Sequence, residues 1–210
     1  LPEPPAPSAE KGNAMHEALA NVWHLENKTP ETIARTIQET VRTYFNSSLL
    51  PSFEKEAVIE ELLEVAPAVA TALATHVTQN GTIATETWVE RMFDAVYKKE
   101  PIVLKPHGQL DALLETVDKL FVFDYKTREA LSVNAIKGET KDSDGSYFRQ
   151  LVFYKILLGK NTKFKGKQIE PALVFIKPDS KGRCPVIALP VTTADIERVT
   201  GEIQGLIESV

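Results

Sequence analysis

Apolar positions recur at helical spacing through the first eighty residues and take on a strand-like character after them. Residues 13–25 (NAMHEALANVWHL) place Met15, Leu19 and Val22 on one helical face, and Lys28 to Pro30 break the run. Thr29, Pro30 and Glu31 read as an N-cap followed by proline at the first helical position, opening a helix through about Phe45. A longer helix follows from Ser52 to about Gln79, with a break expected near Pro67 and a stop at Asn80 and Gly81. Residues 85–97, 102–115 and 119–126 are rich in Thr, Val, Phe, Trp and Tyr and are separated by turn-like Lys-Lys-Glu-Pro and Thr-Val-Asp-Lys, which predicts three consecutive antiparallel strands. The polar stretch from Val133 to Gly145 has no period and reads as a loop. Residues 146–158 return to helix, 168–177 and 184–191 read as strands, and Thr193 to Glu208 as a closing helix.

This order predicts an α/β fold, with a central mixed sheet flanked by helices and an additional helical region at about 30–79. A chain of 210 residues with 43% hydrophobic and 25% charged content can bury a substantial core, so one domain is expected over 12–210. Residues 1–11 begin with a Pro-, Ala- and Ser-rich run and read as a linker from an upstream region, the chain being a piece of a longer polypeptide. The start has neither a basic n-region nor an apolar h-region, and the chain lacks an apolar run of about 18 residues, so no membrane association and a cytoplasmic location are expected. The single cysteine, Cys184, forbids an internal disulfide and cannot by itself build a zinc or iron–sulfur site, which leaves oxygen and nitrogen as metal ligands.

The net charge of −5 is unevenly spread: residues 119–183 hold 14 Lys+Arg against 7 Asp+Glu, and residues 1–118 hold 9 against 18. The second half is locally basic, either as solvated surface or as a phosphate-facing side.

FVFDYK at 121–126 is an apolar strand ending in Asp-x-Lys, and its two-residue period sets Asp124 and Lys126 on the same face. A carboxylate there can hold a divalent cation, and an ammonium beside it can position and help deprotonate a water or neutralise charge on a phosphate. The motif alone is weak, because acid-x-Lys occurs four times, at Glu26/Lys28, Asp124/Lys126, Glu139/Lys141 and Asp179/Lys181. Only Asp124 is preceded by a strand carrying a second acid among apolar residues, Asp111 in HGQLDALLE, which a hairpin can bring beside it. Two facing carboxylates in apolar strands repel each other and lose hydration unless a cation binds them. Hard oxygen ligands point to Mg²⁺ or Mn²⁺. Gly108, three residues before Asp111, marks either a bulge or a close approach by another backbone or a phosphate. Gln150 and Tyr154, four apart, share one face of the following helix, where they either serve a site or simply pack, and Arg149 and Lys155 on its flanks would suit phosphate contacts. His16, in GNAMH, has no distinction of its own beside His24, His76 and His107.

Taken in order, these residues resemble the PD-(D/E)XK nuclease superfamily, and within it the RecB-like domains at the C-termini of bacterial superfamily I helicases of the UvrD/RecB type. That group shows a Gly-x-x-x-His helix, a Gly-x-x-Asp strand, an Asp-x-Lys strand and a Gln-x-x-x-Tyr helix. Here they are Gly12 to His16, Gly108 to Asp111, Asp124 to Lys126 and Gln150 to Tyr154, a match running from about residue 12 to 160. The resemblance implies a restriction-endonuclease-like core in which His16, Asp111, Asp124 and the backbone carbonyl of Tyr125 ligate one or two Mg²⁺ or Mn²⁺ ions. It further implies that Lys126 assists the attacking water and that Gln150 and Tyr154 contact the substrate backbone or that water. The expected activity is hydrolysis of DNA phosphodiesters, as an exonuclease in DNA repair or recombination acting on single strands or duplex ends. A helicase motor in the parent polypeptide is the expected partner. The four-cysteine iron–sulfur cluster of some relatives is excluded by Cys184 standing alone. ATP binding is not expected, because Gly159 to Lys167 has six residues between its glycines and Gln168 after the lysine. Two other readings remain: a catalytically inactive module that guides DNA or docks a partner, and a stand-alone dimeric restriction or repair endonuclease.

Overall fold

The structure is a computed structural model and describes residues 6–209. Three helices come first, α1 (Pro7–Trp23), α2 (Pro30–Ser47) and α3 (Ser52–Val77). Five strands follow: β1 (Thr82–Glu90), β2 (Phe93–Tyr97), β3 (Glu100–Leu104), β4 (His107–Glu115) and β5 (Lys119–Glu129). The chain closes with α4 (Val133–Lys137), α5 (Ser146–Gly159), a 3-10 turn at Thr162–Phe164, β6 (Gln168–Lys177), β7 (Val186–Ala188) and α6 (Thr193–Glu208). The architecture is mixed α/β, a central mixed sheet flanked by helices, ordered β1-β4-β5-β6-β7, with β2 and β3 forming a separate two-stranded sheet. Among the described residues no helix is long and apolar enough to cross a membrane.

Two units are distinguished by their internal packing: one is the chain through Thr85 with Tyr125–Ala130 and Val174–Val186, the other Glu86–Asp124, Leu131–Leu173 and Ile187–Val210. In the first unit the three N-terminal helices pack on one another. Helix α2 shows the cause plainly: Ile33, Ile37, Val41 and Phe45 recur every fourth residue and are all buried, and Thr29 caps the first turn by accepting from the Thr32 N–H at 3.3 Å. Pro67 lies inside α3 without ending it. A proline there removes the N–H that would bond the Leu63 carbonyl, and the Gln38 side chain from α2 donates to that carbonyl instead, at 3.3 Å. Buried Glu10 is likewise satisfied, accepting from the Ser48 hydroxyl at 2.6 Å and the Tyr44 hydroxyl at 3.2 Å.

In the second unit β4 and β5 are antiparallel, with Glu115 opposite Leu120 and Ala112 opposite Phe123. Asp111 and Asp124 are the next residue on each strand. Helix α6 packs beside β2, where the Gln204 amide accepts from the Val96 N–H at 3.1 Å and donates to its carbonyl at 2.6 Å, as a neighbouring strand would.

The structure departs from the sequence expectations at four places. Helix α1 begins at Pro7 rather than at about 13, so within the stretch 1–11 read as a linker, residues 7–11 are helical and residues 1–5 lie outside the described residues. The strand expected at 85–97 is interrupted at Arg91 and Met92, and that expected at 102–115 at Lys105 and Pro106. The Arg91 N–H donates to the Pro106 carbonyl at 3.1 Å, so both breaks occur together and β2–β3 departs as its own hairpin. Its turn, Lys98–Lys99, holds both residues at positive φ (48° and 69°), a two-residue hairpin geometry that usually takes Asn or Gly. Finally, the expected loop from Val133 contains α4, capped by the Ser132 hydroxyl and ended by Gly138 at φ 79°. A Cβ on Gly138 would lie 2.8 Å from the Gly145 nitrogen, so this crossing of two backbone segments requires glycine.

Replacing fully buried Ile37 with alanine is expected to lower stability by about 2–5 kcal/mol in chemical denaturation; Arg35→Ala, on the exposed face of the same helix, should change it by less than about 0.5 kcal/mol. Burial pushes the Cys184 thiol up to about 11, so a thiol reagent at pH 8 should label the native protein slowly and the denatured protein at once.

Candidate active site

In the second unit, Asp111 on β4 and Asp124 on β5 are 9% and 4% exposed, although their strands could have carried apolar residues at either place. Burying a carboxylate costs several kcal/mol unless hydrogen bonds or a cation compensate. Helix α5 supplies hydrogen bonds. The Tyr154 hydroxyl donates to Asp124 Oδ1 at 2.5 Å and Gln150 Nε2 donates to the same oxygen at 2.8 Å, while Gln150 Nε2 also lies 2.7 Å from the Tyr154 hydroxyl. The four-residue spacing stacks Gln150 and Tyr154 on one side of α5, while Phe148, Leu151, Val152, Ile156, Leu157 and Leu158 are buried. These two residues therefore act on the Asp124 carboxylate itself, where the sequence had placed them against substrate or water.

The Tyr154 phenol is driven far above its ordinary pKa, first by burial, then by the Asp124 charge and hydrogen bond, and further by Asp111. It is a neutral donor throughout the working pH range and cannot serve as a base.

Glu86 on β1 is a further acid that the sequence did not single out. One of its carboxylate oxygens lies within 4.8 Å of one from Asp111. Gln109 Nε2 donates to Glu86 Oε2 at 2.7 Å. Residue 86 adopts φ 47°, a left-handed conformation that L side chains rarely take. The only signal in the sequence was an acid amid Thr and Trp, in a strand whose irregularity no propensity announces. Gly108 faces α5, where a Cβ would meet Leu157 Cδ1 at 3.4 Å and Phe153 Cε1 at 4.0 Å, ordinary packing distances. Arg149 and Lys155, which the sequence offered for phosphate contacts, bond the Asp144 carbonyl at 2.5 Å and the Val191 carbonyl at 3.1 Å.

The first unit carries the remaining candidates. Half-buried His16 on α1 meets the Tyr125 ring edge-on at 5.7 Å, and Trp23, seven residues further along α1, donates its indole N–H to the Tyr125 hydroxyl at 2.6 Å. Tyr125 is thereby held at two points, which fixes the stretch of β5 on which Asp124, Tyr125 and Lys126 are consecutive. Lys126 is half-buried. Of the other acid-x-Lys pairs, Asp179 stabilises its own turn, accepting from the Lys181 and Arg183 N–H groups at 2.8 and 3.0 Å. Its carboxyl is held at about 2, chiefly by the Arg183 guanidinium.

The acids of this unit fit a hard divalent cation: Asp111 and Glu86, with carboxylate oxygens within 4.8 Å of each other, offer only oxygen, and Asp111 is buried. Cys184, the one thiol in the chain, is buried with its proton held by the raised pKa.

An ATP-dependent helicase/nuclease subunit from Bacillus velezensis is 29% identical over 170 residues, covering 76% of this chain. The chain spans 13% of that relative's length. Among solved structures, the crystal structure of SSO0001 aligns with 96% of this chain and 87% of its own, with a TM-score of 0.38 and 16% identity. The family model of the PD-(D/E)XK nuclease superfamily matches residues 1–210, the whole length, and the chain belongs to that superfamily.

Proposed function

We propose that this domain is a Mg²⁺- or Mn²⁺-dependent deoxyribonuclease, acting as an exonuclease on single strands or duplex ends. The observation that carries the reading is the buried Asp124 carboxylate, 4% exposed, oriented through one oxygen by Tyr154 and Gln150 and set next to the Asp111 strand position. Two buried acids at facing positions of neighbouring strands, one of them oriented by two neutral donors, suit the binding of a hard cation.

In this reading Asp111, Asp124, His16 and the Tyr125 carbonyl hold the metal, with Glu86 extending the acidic set. When bound, the divalent cation supplies Lewis-acid activation of a water and neutralises charge building on the scissile phosphate. Lys126, on the same strand face as Asp124 by the two-residue period, positions that water and steadies the developing charge. Tyr154 and Gln150 are positioning residues, fixing the rotamer of Asp124 in the way hydrogen-bond partners of metal ligands do. Water attacks phosphorus, the P–O bond to the leaving oxygen breaks, that oxygen takes up a proton, and no covalent enzyme intermediate forms. The resemblance to a helicase/nuclease protein supports a place beside a helicase motor that feeds strands to the domain during DNA repair and recombination. The surplus of Lys and Arg over residues 119–183 supports contact with a phosphate backbone.

Cleavage of end-labelled DNA should appear with Mn²⁺ or Mg²⁺ and vanish with EDTA; cleavage that persists in EDTA contradicts the proposal. Asp124→Asn and Lys126→Ala should each reduce the rate by about 100-fold or more, with DNA binding retained. Tyr154→Phe, which removes the donor but keeps the ring, should cost about 10- to 100-fold in metal affinity or rate. An unchanged rate in Asp124→Asn would refute the site assignment.

A further inference from the structure

Strand β1 presents Trp88 at 65% exposure, two residues after the irregular Glu86. Its ring is backed by His107 of β4, with centroids 5.4 Å apart and planes tilted by 47°. Next along β4, Gln109 bonds Glu86, and Asp111 follows, an oxygen of its carboxylate within 4.8 Å of one from Glu86. His107, Gln109 and Asp111 are alternate residues of one strand, and Gly108 between them faces α5 on the other side. The three side chains therefore form a line on β4, with the Trp88 indole at one end and the candidate metal-binding carboxylate at the other. At the rise of an extended strand, His107 and Asp111 are about 13 Å apart.

We infer that Trp88 is a stacking platform for an unpaired nucleobase of the strand whose phosphodiester lies at Asp111 and Asp124. The inference rests on the nuclease reading above and names a residue that would hold its single-stranded substrate. A large apolar ring left open to solvent gains on being covered, and every nucleobase offers a π-face to cover it, so stacking holds a strand without reading its sequence. In a duplex those faces are already stacked on neighbouring bases, so the platform selects single strands or frayed ends. The separation of about 13 Å corresponds to about four nucleotide rises of 3.4 Å in a stacked strand, and fewer in an extended one.

The chain has two tryptophans, which makes the test direct. Trp23 is 2% exposed and bonded to Tyr125, so it reports on the fold, while Trp88 reports on the ligand. Metal-free protein in EDTA is titrated with a short oligothymidylate and with a blunt duplex, following intrinsic fluorescence and, on labelled DNA, anisotropy. The single strand should quench the wild type, leave the emission of Trp88→Phe unchanged, and bind Trp88→Ala about 5- to 150-fold more weakly, while the duplex causes no quench. Trp88→Phe, which keeps an aromatic face, should retain most of the affinity, and circular dichroism checks that both variants fold. Single-strand binding without quenching, or equal affinity in folded Trp88→Ala, overturns the platform and leaves the nuclease reading standing; so does a surface that captures proteins but is indifferent to single strands reaching the carboxylates. A wild type that binds no DNA of either kind overturns both.

Discussion

Burying the Asp124 carboxylate is the constraint around which the second unit is organised. A charge in that position loses its hydration, and the chain answers with two neutral donors on one helix, both aimed at the same oxygen. That answer dictates much else. Helix α5 must start from a fixed point, which the crossing of Gly138 and Gly145 provides. Burial, and then the same carboxylate, raise the Tyr154 phenol, so it keeps its proton and stays a donor to the acid it orients.

The first unit handles a different problem, holding one strand segment in a set orientation. His16 and Trp23, two turns apart on α1, contact the ring and the hydroxyl of Tyr125. Because Tyr125 sits between Asp124 and Lys126, fixing its side chain also fixes the direction in which the residues on either side project. The α2–α3 pair extends the helical core, and its polar exceptions are satisfied locally: Glu10 by Ser48 and Tyr44, and the carbonyl freed by Pro67 by Gln38.

Elements with a long period were legible in the sequence. The fourfold spacing of Ile33, Ile37, Val41 and Phe45, and the cap at Thr29, mark α2 without ambiguity, and α6 runs from Thr193 to Glu208 as expected. Asp124 was separable from three similar acid-x-Lys pairs because the preceding strand carries a second acid, Asp111, among apolar residues, and the structure buries both acids. Short-range and tertiary features were not legible. Helix α4 is five residues long and displays no period, and the breaks flanking the β2–β3 hairpin depend on a backbone bond between Arg91 and Pro106 that no local propensity encodes. Glu86 was missed because its place beside Asp111 is a matter of strand pairing that no local pattern marks, and the bonding of Gln150 and Tyr154 to Asp124 is a matter of helix placement.

The central claim is that the buried acids exist to hold a divalent cation, and thermal unfolding of metal-free protein against added Mn²⁺ tests it most directly. A cation bound to the native state alone raises the midpoint with concentration. The account predicts such a rise in the wild type, and in Asp124→Asn a metal-free midpoint no lower than the wild type's with little further rise on adding Mn²⁺. An equal Mn²⁺-dependent rise in both proteins, or none in either, would contradict it.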